Sequence, residues 1–438
     1  MTQVQTIRRP QRISLWGLFG QQNLGNECTL QAVQYNVHRF LPHAEISCIC
    51  SVPEDTSARY QIPAFAITER SAKAGNAAAG QGRGNRLARL PGKVLARVVT
   101  ELREAVRAVG ILRDKDMLVV PGTGFLTDAA TGPFGWPFEI FKWSCLARLC
   151  KCKLLYVSVG AGPIYHRLSR WFIRSALSLA DFRSYRDRSS KECLENVGFT
   201  RPDDRVYPDL AFNLPERIVR ARSQDGRQRT VVGIGLMTYA RGMSSGKPGH
   251  DTYREYLQGL VAFVKWLLAN DYDVRLLIGD VLYDQAVQGD FRELLREHVP
   301  AANGTAGRII DEPIASVEDL LTQLAATDIV VATRFHNTLL ALILGKPVIS
   351  ISFHHKCASL MKDMGLSQYC QDIHDLDVDK LIAQFRDVVT RQPELTSSIR
   401  RKTEEFRKAL DEQYAFIFGD LTPSPAEVRL GNARGTAR

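Results

Sequence analysis

Apolar runs that are typical of buried strands alternate with segments of helical spacing along most of the chain. The first run covers 13–20, and the segment after it, 27–41, carries Leu30, Val33 and Val37 on one helical face. Further strands are predicted at 45–52, 117–121, 153–160, 181–186 and 205–212, with helices at 94–109, 168–180 and 189–197. Continuous apolar strands separated by helices indicate a parallel sheet that is covered on both faces.

A second alternation of the same kind follows a charge-rich segment at 214–228. It predicts strands at 230–237, 273–279, 328–332 and 347–353, and helices at 252–270, 317–325 and 337–344. Two such halves imply an α/β protein in which two domains face a cleft. We place the N-terminal domain at 13–213, the C-terminal domain at 229–395, a closing helix at 396–420 and a disordered tail at 421–438, and we predict a long loop at 71–91.

The composition fits this architecture and adds a positive charge. The 438 residues allow about two domains of roughly 100–200 residues each. A content of 45% hydrophobic and 24% charged residues excludes a largely disordered chain. The net charge of +10 favours an anionic partner. Because no RNA-recognition or zinc-finger motif accompanies that charge, we expect no nucleic-acid partner.

The cysteines and the apolar segments bear on the cellular location. The nine cysteines are an odd number, and the closest pairs, Cys48 with Cys50 and Cys150 with Cys152, lack the two-residue spacing of redox or zinc pairs. We therefore expect reduced thiols. The first 30 residues show no signal-peptide pattern, and no run of about 18 apolar residues occurs. We expect a cytoplasmic protein that is free to touch the inner face of a membrane.

Three loops that contain glycine follow predicted strands. They lie at 17–27, 121–124 and 159–163, at the carboxyl edge where open α/β sheets bind their ligands. The first lacks the spacing of a dinucleotide-binding loop, so we expect no NAD cofactor. Each loop alone is also compatible with a tight turn, but together they predict a cleft floor where backbone approaches a ligand. The candidate substrate-binding residues on these loops are Asn23, Gly25, Glu27, Gly122, Gly124, Gly160 and Gly162.

Cationic side chains follow two further strands. Arg186 precedes a helix that Asp187 or Ser189 can cap, and its planar guanidinium suits a carboxylate or a phosphate. Arg334 and His336 lie where a buried strand gives way to an apolar helix, so a permanent cation and a titratable imidazole meet a helix N-terminus. A surface Arg186 paired with Asp187 and a purely structural His336 are the alternatives.

A third basic cluster follows the next strand and consists of His354, His355 and Lys356. The cluster lacks further spaced ligands for zinc, and no other metal-binding constellation occurs, so we predict no metal site. We take His336 and Arg334 as the candidate catalytic residues. Arg186 and Lys356 are candidate ligands for an anionic substrate.

Taken in order, these residues resemble the polysaccharide pyruvyl transferase family, whose members move a pyruvyl group from phosphoenolpyruvate to a sugar. The resemblance covers about residues 13–372. It rests on the loop at 17–27, the Gly122-x-Gly124 turn, the segments 158–163, 185–189 and 208–212, the Arg334-x-His336 pair, the segment 345–347 and Lys356. Asn26 stands where many members have Asp, and Thr123 stands where they have a third glycine.

The resemblance implies a fold similar to the GT-B glycosyltransferases, with two Rossmann-like halves around a cleft and no cofactor. The acceptor, a glycan or a lipid-linked sugar, would face the N-terminal half, and phosphoenolpyruvate would face the C-terminal half. Arg334 and His336 match the family's Arg-x-His and would bind phosphoenolpyruvate, with His336 as the acid. Arg186 matches a further contact to the donor. Glu27 and Asp128 are both candidates for the base that activates the sugar hydroxyl.

Two other functions stay open at this point. A GT-B glycosyltransferase would bind a nucleotide sugar instead of phosphoenolpyruvate. A catalytically silent carbohydrate-binding relative would bind a glycan without turnover. Substitution of His336 distinguishes these functions, because a silent relative has no turnover to lose.

Overall fold

The computed structural model describes residues 9–68, 90–129, 131–219, 229–239, 249–299 and 307–419. The predicted tail at 421–438 and most of the predicted loop at 71–91 lie outside these residues. Leu90 and residue 91, the end of that predicted loop, belong to a helix. Among the described residues, no helix has both the length and the apolar character that crossing a bilayer requires.

The first half of the chain forms a parallel sheet of seven strands in the order β3-β2-β1-β4-β5-β6-β7. All neighbouring strands pair in parallel. Their side chains are mostly buried, as expected for a sheet that is covered on both faces. The strands are β1 (Arg12–Gly17), β2 (Glu45–Cys50), β3 (Ala64–Ala66), β4 (Met117–Pro121), β5 (Lys153–Val159), β6 (Phe182–Tyr185) and β7 (Arg205–Val206).

Helices connect these strands and cover the sheet. They are α1 (Leu24–Phe40), α2 (Pro53–Tyr60), α3 (Leu90–Leu112), α4 (Trp136–Leu149), α5 (Arg167–Ser178), α6 (Arg188–Asn196) and the short α7 (Glu216–Val219). A strand predicted at 205–212 is wrong beyond its first two residues. Asp209 instead caps a short 3-10 helix, Leu210–Asn213, by accepting a hydrogen bond from the N–H of Ala211, and the preceding Pro208 has no N–H for a strand ladder.

The second half forms a parallel sheet of six strands in the order β10-β9-β8-β11-β12-β13. The strands are β8 (Val231–Gly235), β9 (Asp273–Leu277), β10 (Ile309–Ile310), β11 (Ile329–Ala332), β12 (Val348–Ser352) and β13 (Cys370–Asp372). The helices are α8 (Gly249–Ala269), α9 (Asp284–His298), α10 (Val317–Ala325), α11 (Phe335–Ile343), α12 (His355–Asp363), α13 (Val378–Thr390) and α14 (Gln392–Phe418). Two parallel α/β sheets confirm the predicted fold class.

One hydrophobic core runs across both halves, because α1 packs between the first sheet and the helices of the second. The long helix α14 also returns to the first half. There the fully buried side chain of Gln413 accepts a hydrogen bond from the Ser184 hydroxyl at 2.6 Å and donates one to Ser158 at 3.1 Å. We keep the predicted domain limits as a proposal, with the first sheet ending at Val206 and the second beginning at Val231.

Candidate active site

Strand β11 leads directly to Arg334 and His336 at the start of α11. Arg334 has extended backbone angles (φ −70°, ψ 133°) and occupies the N-cap position, so the helix begins at Phe335. The helix is apolar and buried from Leu339 to Ile343, which anchors its N-terminus at the carboxyl edge of the second sheet. Free backbone N–H groups at such an N-terminus favour an anion beside His336.

The guanidinium of Arg334 pairs with the carboxylate of Asp284, the first residue of α9. Nε donates to Oδ2 over 2.8 Å, and Nη2 donates to Oδ1. The carboxylate is fully buried and also accepts hydrogen bonds of 3.0 to 3.2 Å from the backbone N–H groups of Thr238, Gly279 and Asp280. The ion pair thus holds the guanidinium through two of its three nitrogens.

Arg186 and Lys356 come from opposite halves of the chain and converge on the ring of Phe335. The guanidinium carbon of Arg186 lies 4.9 Å from the ring centroid, and Nζ of Lys356 lies 5.4 Å from it. Arg186 is buried and forms ion pairs of 3.4 Å with Asp187 and Asp209. Two cations on one aromatic ring concentrate positive charge beside His336.

The predicted glycine loops after β4 and β5 make room for Arg186. A Cβ on Gly160 would lie 2.6 Å from Nη2 of Arg186, and a Cβ on Gly124 would lie 3.7 Å from the same atom. A Cβ on Gly122 would overlap with the backbone of β5. The carbonyl of Gly162 accepts a hydrogen bond of 2.8 Å from a thiol on α6. The glycines therefore shape the surroundings of Arg186, and their contact with a ligand stays a prediction.

The loop after β1 reaches across to the second half. Gly25, in the first turn of α1, lies against the imidazole of His336. Asn23 caps α1 by accepting a hydrogen bond of 3.3 Å from the N–H of Asn26, and its amide donates to Asp280 over 2.8 Å. The N-termini of α1 and α11 therefore lie side by side. Binding of a substrate by Asn23 or Gly25 stays a prediction.

Both candidate bases have partners within the protein. Glu27 is buried and accepts hydrogen bonds from the N–H of Gly20 at 2.8 Å and from the hydroxyl of Tyr60 at 2.7 Å. Burial raises the pKa of Glu27. Asp128 accepts hydrogen bonds of 2.9 and 2.8 Å from two backbone N–H groups just before α5. Each carboxylate thus holds a loop in place, and its role as a base stays a prediction.

Burial and the neighbouring cations set the ionisation of the site. Desolvation lowers the pKa of His336 well below its ordinary value, and the charges of Lys356, Arg186 and Arg334 lower it further. Desolvation, together with Arg186, lowers the pKa of Lys356 to about 8. At neutral pH the imidazole is therefore neutral, while Lys356 is mostly charged. An anion bound among these cations would raise both pKa values.

The carboxylates beside Arg186 respond differently to burial. Burial raises the pKa of Asp209, although Arg186 opposes this effect. Burial also acts to raise the pKa of Asp187, but Arg186 and the hydrogen bonds from Ser189 and Ser190 outweigh it, so the pKa falls. Asp187 also caps α6 by accepting a hydrogen bond of 2.7 Å from the N–H of Ser190. Asp187 is therefore a partner of Arg186 that is ionised at neutral pH.

The two histidines of the third basic cluster lie at the start of α12. His354 caps this helix by accepting a hydrogen bond of 3.3 Å from the N–H of Lys356, and its ring centroid lies 4.0 Å from that of His355. Burial lowers the pKa of His354 to about 3 and also lowers the pKa of His355. Within the described ranges, no group of three or more His, Cys, Asp and Glu side chains is placed to hold a metal ion.

The structure adds Phe335, Asn337 and Asp284 to the residues that the sequence analysis singled out. Phe335 stands between Arg334 and His336, so its place in the site could have been predicted from that motif. Asn337 is fully buried, and neither its amide nor Nε2 of His336 has a hydrogen-bond partner in the described part of the chain. Asp284 lies in α9, a helix that the sequence analysis did not predict.

A cavity of about 270 Å³ opens beside the cations. Arg186, Phe335 and Lys356 line it, and Arg188 and Lys402 add two further positive charges to its wall. A space of this size suits a small molecule. Asp187, Asp209 and Asp363 also line the wall, so its four cationic side chains exceed its carboxylates by one.

Comparison with known proteins gives a family and a fold. A family model described as polysaccharide pyruvyl transferase matches residues 23–355. The amylovoran biosynthesis protein AmsJ of Erwinia amylovora is 23% identical over 318 residues, which are 68% of this chain and 71% of that protein. The family match contains Arg186, Arg334 and His336 and ends one residue before Lys356.

Solved structures resemble this chain over nearly its full length. A UDP-N-acetylglucosamine 2-epimerase superposes with a TM-score of 0.56 at 13% identity, covering 96% of this chain and 99% of the epimerase. A glycosyltransferase from Rickettsia africae superposes with a TM-score of 0.57 at 11% identity, covering 95% of this chain and 100% of the transferase. At these identities the likeness shows the fold, which is of the GT-B type, as predicted.

Proposed function

Because this chain belongs to the polysaccharide pyruvyl transferase family, and is therefore a transferase, we propose that it moves a pyruvyl group from phosphoenolpyruvate to a sugar of an exopolysaccharide or cell-wall glycan precursor. The product would be a ketal. One observation carries the proposal: Arg186 and Lys356 converge on Phe335, directly beside His336. The name of AmsJ, a protein of amylovoran biosynthesis, supports a polysaccharide acceptor.

The cations match the charges of the proposed donor. Phosphoenolpyruvate carries a carboxylate and a phosphate on one enol carbon, so its binding needs several positive groups within a small space. Arg186 and Lys356 supply two charges that line the cavity. Arg334 supplies a third, with its orientation fixed by Asp284. The N-terminus of α11 adds free N–H groups on the same side.

His336 would supply the proton that starts the reaction. Protonation of C3 of the enol makes C2 electrophilic, a sugar hydroxyl attacks C2, and phosphate leaves as the C2–O bond breaks and a second hydroxyl closes the ketal. The lowered pKa leaves His336 neutral in the free protein. Binding of the donor anion raises that pKa, so the acid would be charged when the donor is in place.

We infer that the acceptor sugar binds to the first half of the chain. Asn23, Gly25 and the loops with Gly122, Gly124, Gly160 and Gly162 lie at the carboxyl edge of the first sheet, and we assign them to the sugar. Glu27 and Asp128 follow β1 and β4 in the first half, and we keep both as candidates for the base that activates the sugar hydroxyl. For a precursor that is carried on a lipid, the enzyme would also make peripheral contact with the membrane.

The experiment compares wild type with His336→Gln and Lys356→Met. Phosphate release from phosphoenolpyruvate is measured with a panel of polyprenyl-pyrophosphate-linked sugars, and phosphoenolpyruvate-induced thermal shift is measured in parallel. We expect acceptor-dependent release by wild type and a loss of about 10²-fold to 10⁴-fold in His336→Gln, which removes the acid but keeps the shape of the side chain. Lys356→Met should weaken the thermal shift, whereas His336→Gln should retain it.

The same assay identifies the competing functions. A melting temperature that rises with a nucleotide sugar and does not respond to phosphoenolpyruvate would assign the chain to glycosyl transfer. Binding of glycan without phosphate release from any acceptor would instead indicate a silent relative. Arg113→Gln, a substitution of an exposed arginine on the surface, controls for a general loss of positive charge.

A further inference from the structure

Helix α5 is buried on one face and exposes apolar side chains on the other. Phe172, Ile173 and Ala176 pack inward. On the outer face Leu168 is 39% exposed and Trp171 is 54% exposed. A surface helix of a water-soluble domain normally turns polar residues outward, so this face indicates a surface with a partner.

The exposed indole of Trp171 rests on a packed cluster of rings. Its ring centroid lies 5.0 Å from that of Phe141 on α4 and 5.2 Å from that of Phe172. Phe172 in turn lies 5.4 Å from Phe138. The indole is therefore held rigidly at the surface, and ordering it against a partner would cost little conformational entropy.

Further apolar surface surrounds Trp171. Tyr165, just before α5, is 59% exposed, and Leu149, at the end of α4, is 71% exposed. A groove of about 680 Å³ lies beside Trp171, and Phe141 and Phe199 are among its walls. The apolar area thus extends beyond a single side chain, unlike the scattered exposed residues of an ordinary surface.

Positive charges flank this apolar area. Arg167 and Arg174 are both exposed on α5. Arg174 also lines the groove together with Arg201, and none of the described residues that line the groove is acidic. The charge pattern therefore favours a partner that combines an apolar interior with an anionic surface.

We propose that the aromatic–arginine surface, made of Tyr165, Arg167, Leu168, Trp171 and Arg174, docks on an anionic lipid bilayer. Trp and Tyr rings favour the headgroup level of a membrane, where one part of the ring is in an apolar environment and the polar part is hydrated. Arginine forms bidentate hydrogen bonds with phosphate oxygens, which lipid headgroups provide in dense array. The net charge of +10 adds a long-range attraction.

The size of the surface favours a bilayer over a protein partner. A stable protein interface uses roughly 20–30 residues on each side, whereas this surface has its exposed apolar groups on about two turns of helix and the adjoining loop. A bilayer needs only a few anchoring rings together with basic residues. The proposed function includes a contact with the membrane, and this surface would make that contact. The evidence for the surface is its own exposure, ring packing and charge.

The location of α5 connects this surface with the candidate active site. The helix begins directly after the loop that carries Gly160 and Gly162, and that loop packs against Arg186. Docking through Tyr165 and Leu168 would therefore hold the carboxyl edge of the first sheet near the membrane. A lipid-carried acceptor would then reach the cleft without leaving the bilayer.

The test measures binding of the full chain to vesicles by cosedimentation. Vesicles of equal parts phosphatidylglycerol and phosphatidylcholine are compared with vesicles of phosphatidylcholine alone, at low and high salt. The variants are Leu168→Ser/Trp171→Ser and Arg167→Gln/Arg174→Gln. The matched control, Val106→Ser/Arg113→Gln, removes an exposed apolar residue and an exposed arginine from α3 and the loop that follows it. Near-ultraviolet circular dichroism and the unfolding midpoint confirm that each variant is folded.

We expect wild type and the control to bind the anionic vesicles, and each of the two surface variants to bind at least about tenfold more weakly. High salt should weaken binding of wild type. Absence of binding by wild type at low salt, or equal binding by wild type and both surface variants, would overturn the proposal. Concentration-dependent self-association that the surface variants abolish, without vesicle binding, would assign the surface to a second copy of the chain.

Phosphate release in detergent-free buffer with a short water-soluble acceptor separates this proposal from the proposed function. The surface variants should retain that release, because none of the substituted residues lines the cavity at Arg186. If the surface variants lose vesicle binding but still release phosphate, the surface serves docking and not the chemical step. Vesicle binding by a wild-type protein that releases no phosphate would leave the docking surface standing and remove the proposed transferase chemistry.

Discussion

Gly25 lies so close to the imidazole of His336 that a Cβ on Gly25 would overlap with Nδ1. The two residues lie in helices that follow strands of different sheets, since α1 follows β1 and α11 follows β11. Backbone contact at this point fixes the imidazole against the first turn of α1. The side chain that we assign as the acid is thus positioned by the half of the chain that we assign to the acceptor.

Gly25→Ala should reduce turnover by about 10²-fold, because even a small displacement of a catalytic group has an effect of that order. The substitution adds one methyl group where the imidazole lies, so the imidazole must move to make room for it. A loss of turnover therefore reports displacement of His336. The measurement is acceptor-dependent phosphate release, together with the free energy of unfolding in urea.

Gly110→Ala is the matched control for this prediction. Gly110 also lies in a helix, and a Cβ there would meet no atom within 4 Å. We expect unchanged turnover and equal or greater stability in this variant. Wild-type turnover by Gly25→Ala would contradict the assignment of the imidazole as a rigidly held acid.

The alternation of strands and helices could be predicted because parallel strands buried on both faces are continuous apolar runs. Strand β4 has the predicted bounds, and β5 differs by a single residue. Helix α4 was missed because its sequence, WPFEIFKWSCLARL, has apolar residues on nearly every side and shows no clear period. Helix α9 does space Val287, Phe291 and Leu295 four residues apart, but few other apolar residues support that pattern.

The candidate site could be predicted only where its residues are close in sequence. Arg334 and His336 stand two residues apart at a strand end, so the local pattern contains them both. Asp284 is 50 residues from Arg334, and only the order of strands β9, β8 and β11 in the sheet brings the two together. The convergence of Arg186 and Lys356 depends likewise on the packing of two halves, which no local spacing encodes.

Asp284→Asn should destabilise the protein by about 3 kcal/mol, because it leaves the partly buried guanidinium of Arg334 without its counter-charge. Loss of that ion pair should also raise the KM for phosphoenolpyruvate, since Arg334 would no longer be held. Urea unfolding and phosphate-release kinetics measure the two effects. Asp114→Asn, at an exposed aspartate, should change neither quantity, and a cost below about 1 kcal/mol at Asp284 would contradict the prediction.

Gln413→Leu should raise the KM for phosphoenolpyruvate and leave kcat nearly unchanged. The amide of Gln413 holds Ser184 and Ser158, which stand two residues before Arg186 and Gly160. Leucine leaves the two buried hydroxyls without this partner, at a cost of about 1–3 kcal/mol. His336 lies in α11, which follows a strand of the other sheet, so its proton transfer should not change.

Glu412→Leu is the control for Gln413→Leu, because it changes the exposed neighbour on the same helix. Steady-state kinetics with varied phosphoenolpyruvate separates KM from kcat in both variants. A fall in kcat at constant KM in Gln413→Leu would show that α14 acts on the chemical step rather than on the position of Arg186.

The affinity for phosphoenolpyruvate should fall as the pH rises through about 8, the pKa to which desolvation and Arg186 lower Lys356. Below that pH the ammonium is charged and attracts the donor, and above it the free protein holds a neutral amine that must take up a proton on binding. Linkage then predicts a loss of up to about tenfold in affinity for each pH unit above 8. Burial raises the pKa of the adjacent Cys357 to about 12, so this thiol contributes no titration in this range.

Titration calorimetry at several pH values, in two buffers with different ionisation enthalpies, measures both the affinity and the proton uptake. Lys356→Met should bind more weakly at neutral pH and should show a smaller decline above pH 8, because only the proton that His336 takes up with the donor then remains. The free energy of unfolding depends on pH in the opposite direction. The charged Lys356 destabilises the folded protein below about pH 8, and this destabilisation disappears as the pH rises toward the ordinary lysine pKa. If the affinity of wild type for phosphoenolpyruvate stayed constant from about pH 7 to about pH 9, Lys356 would not be a ligand of the donor.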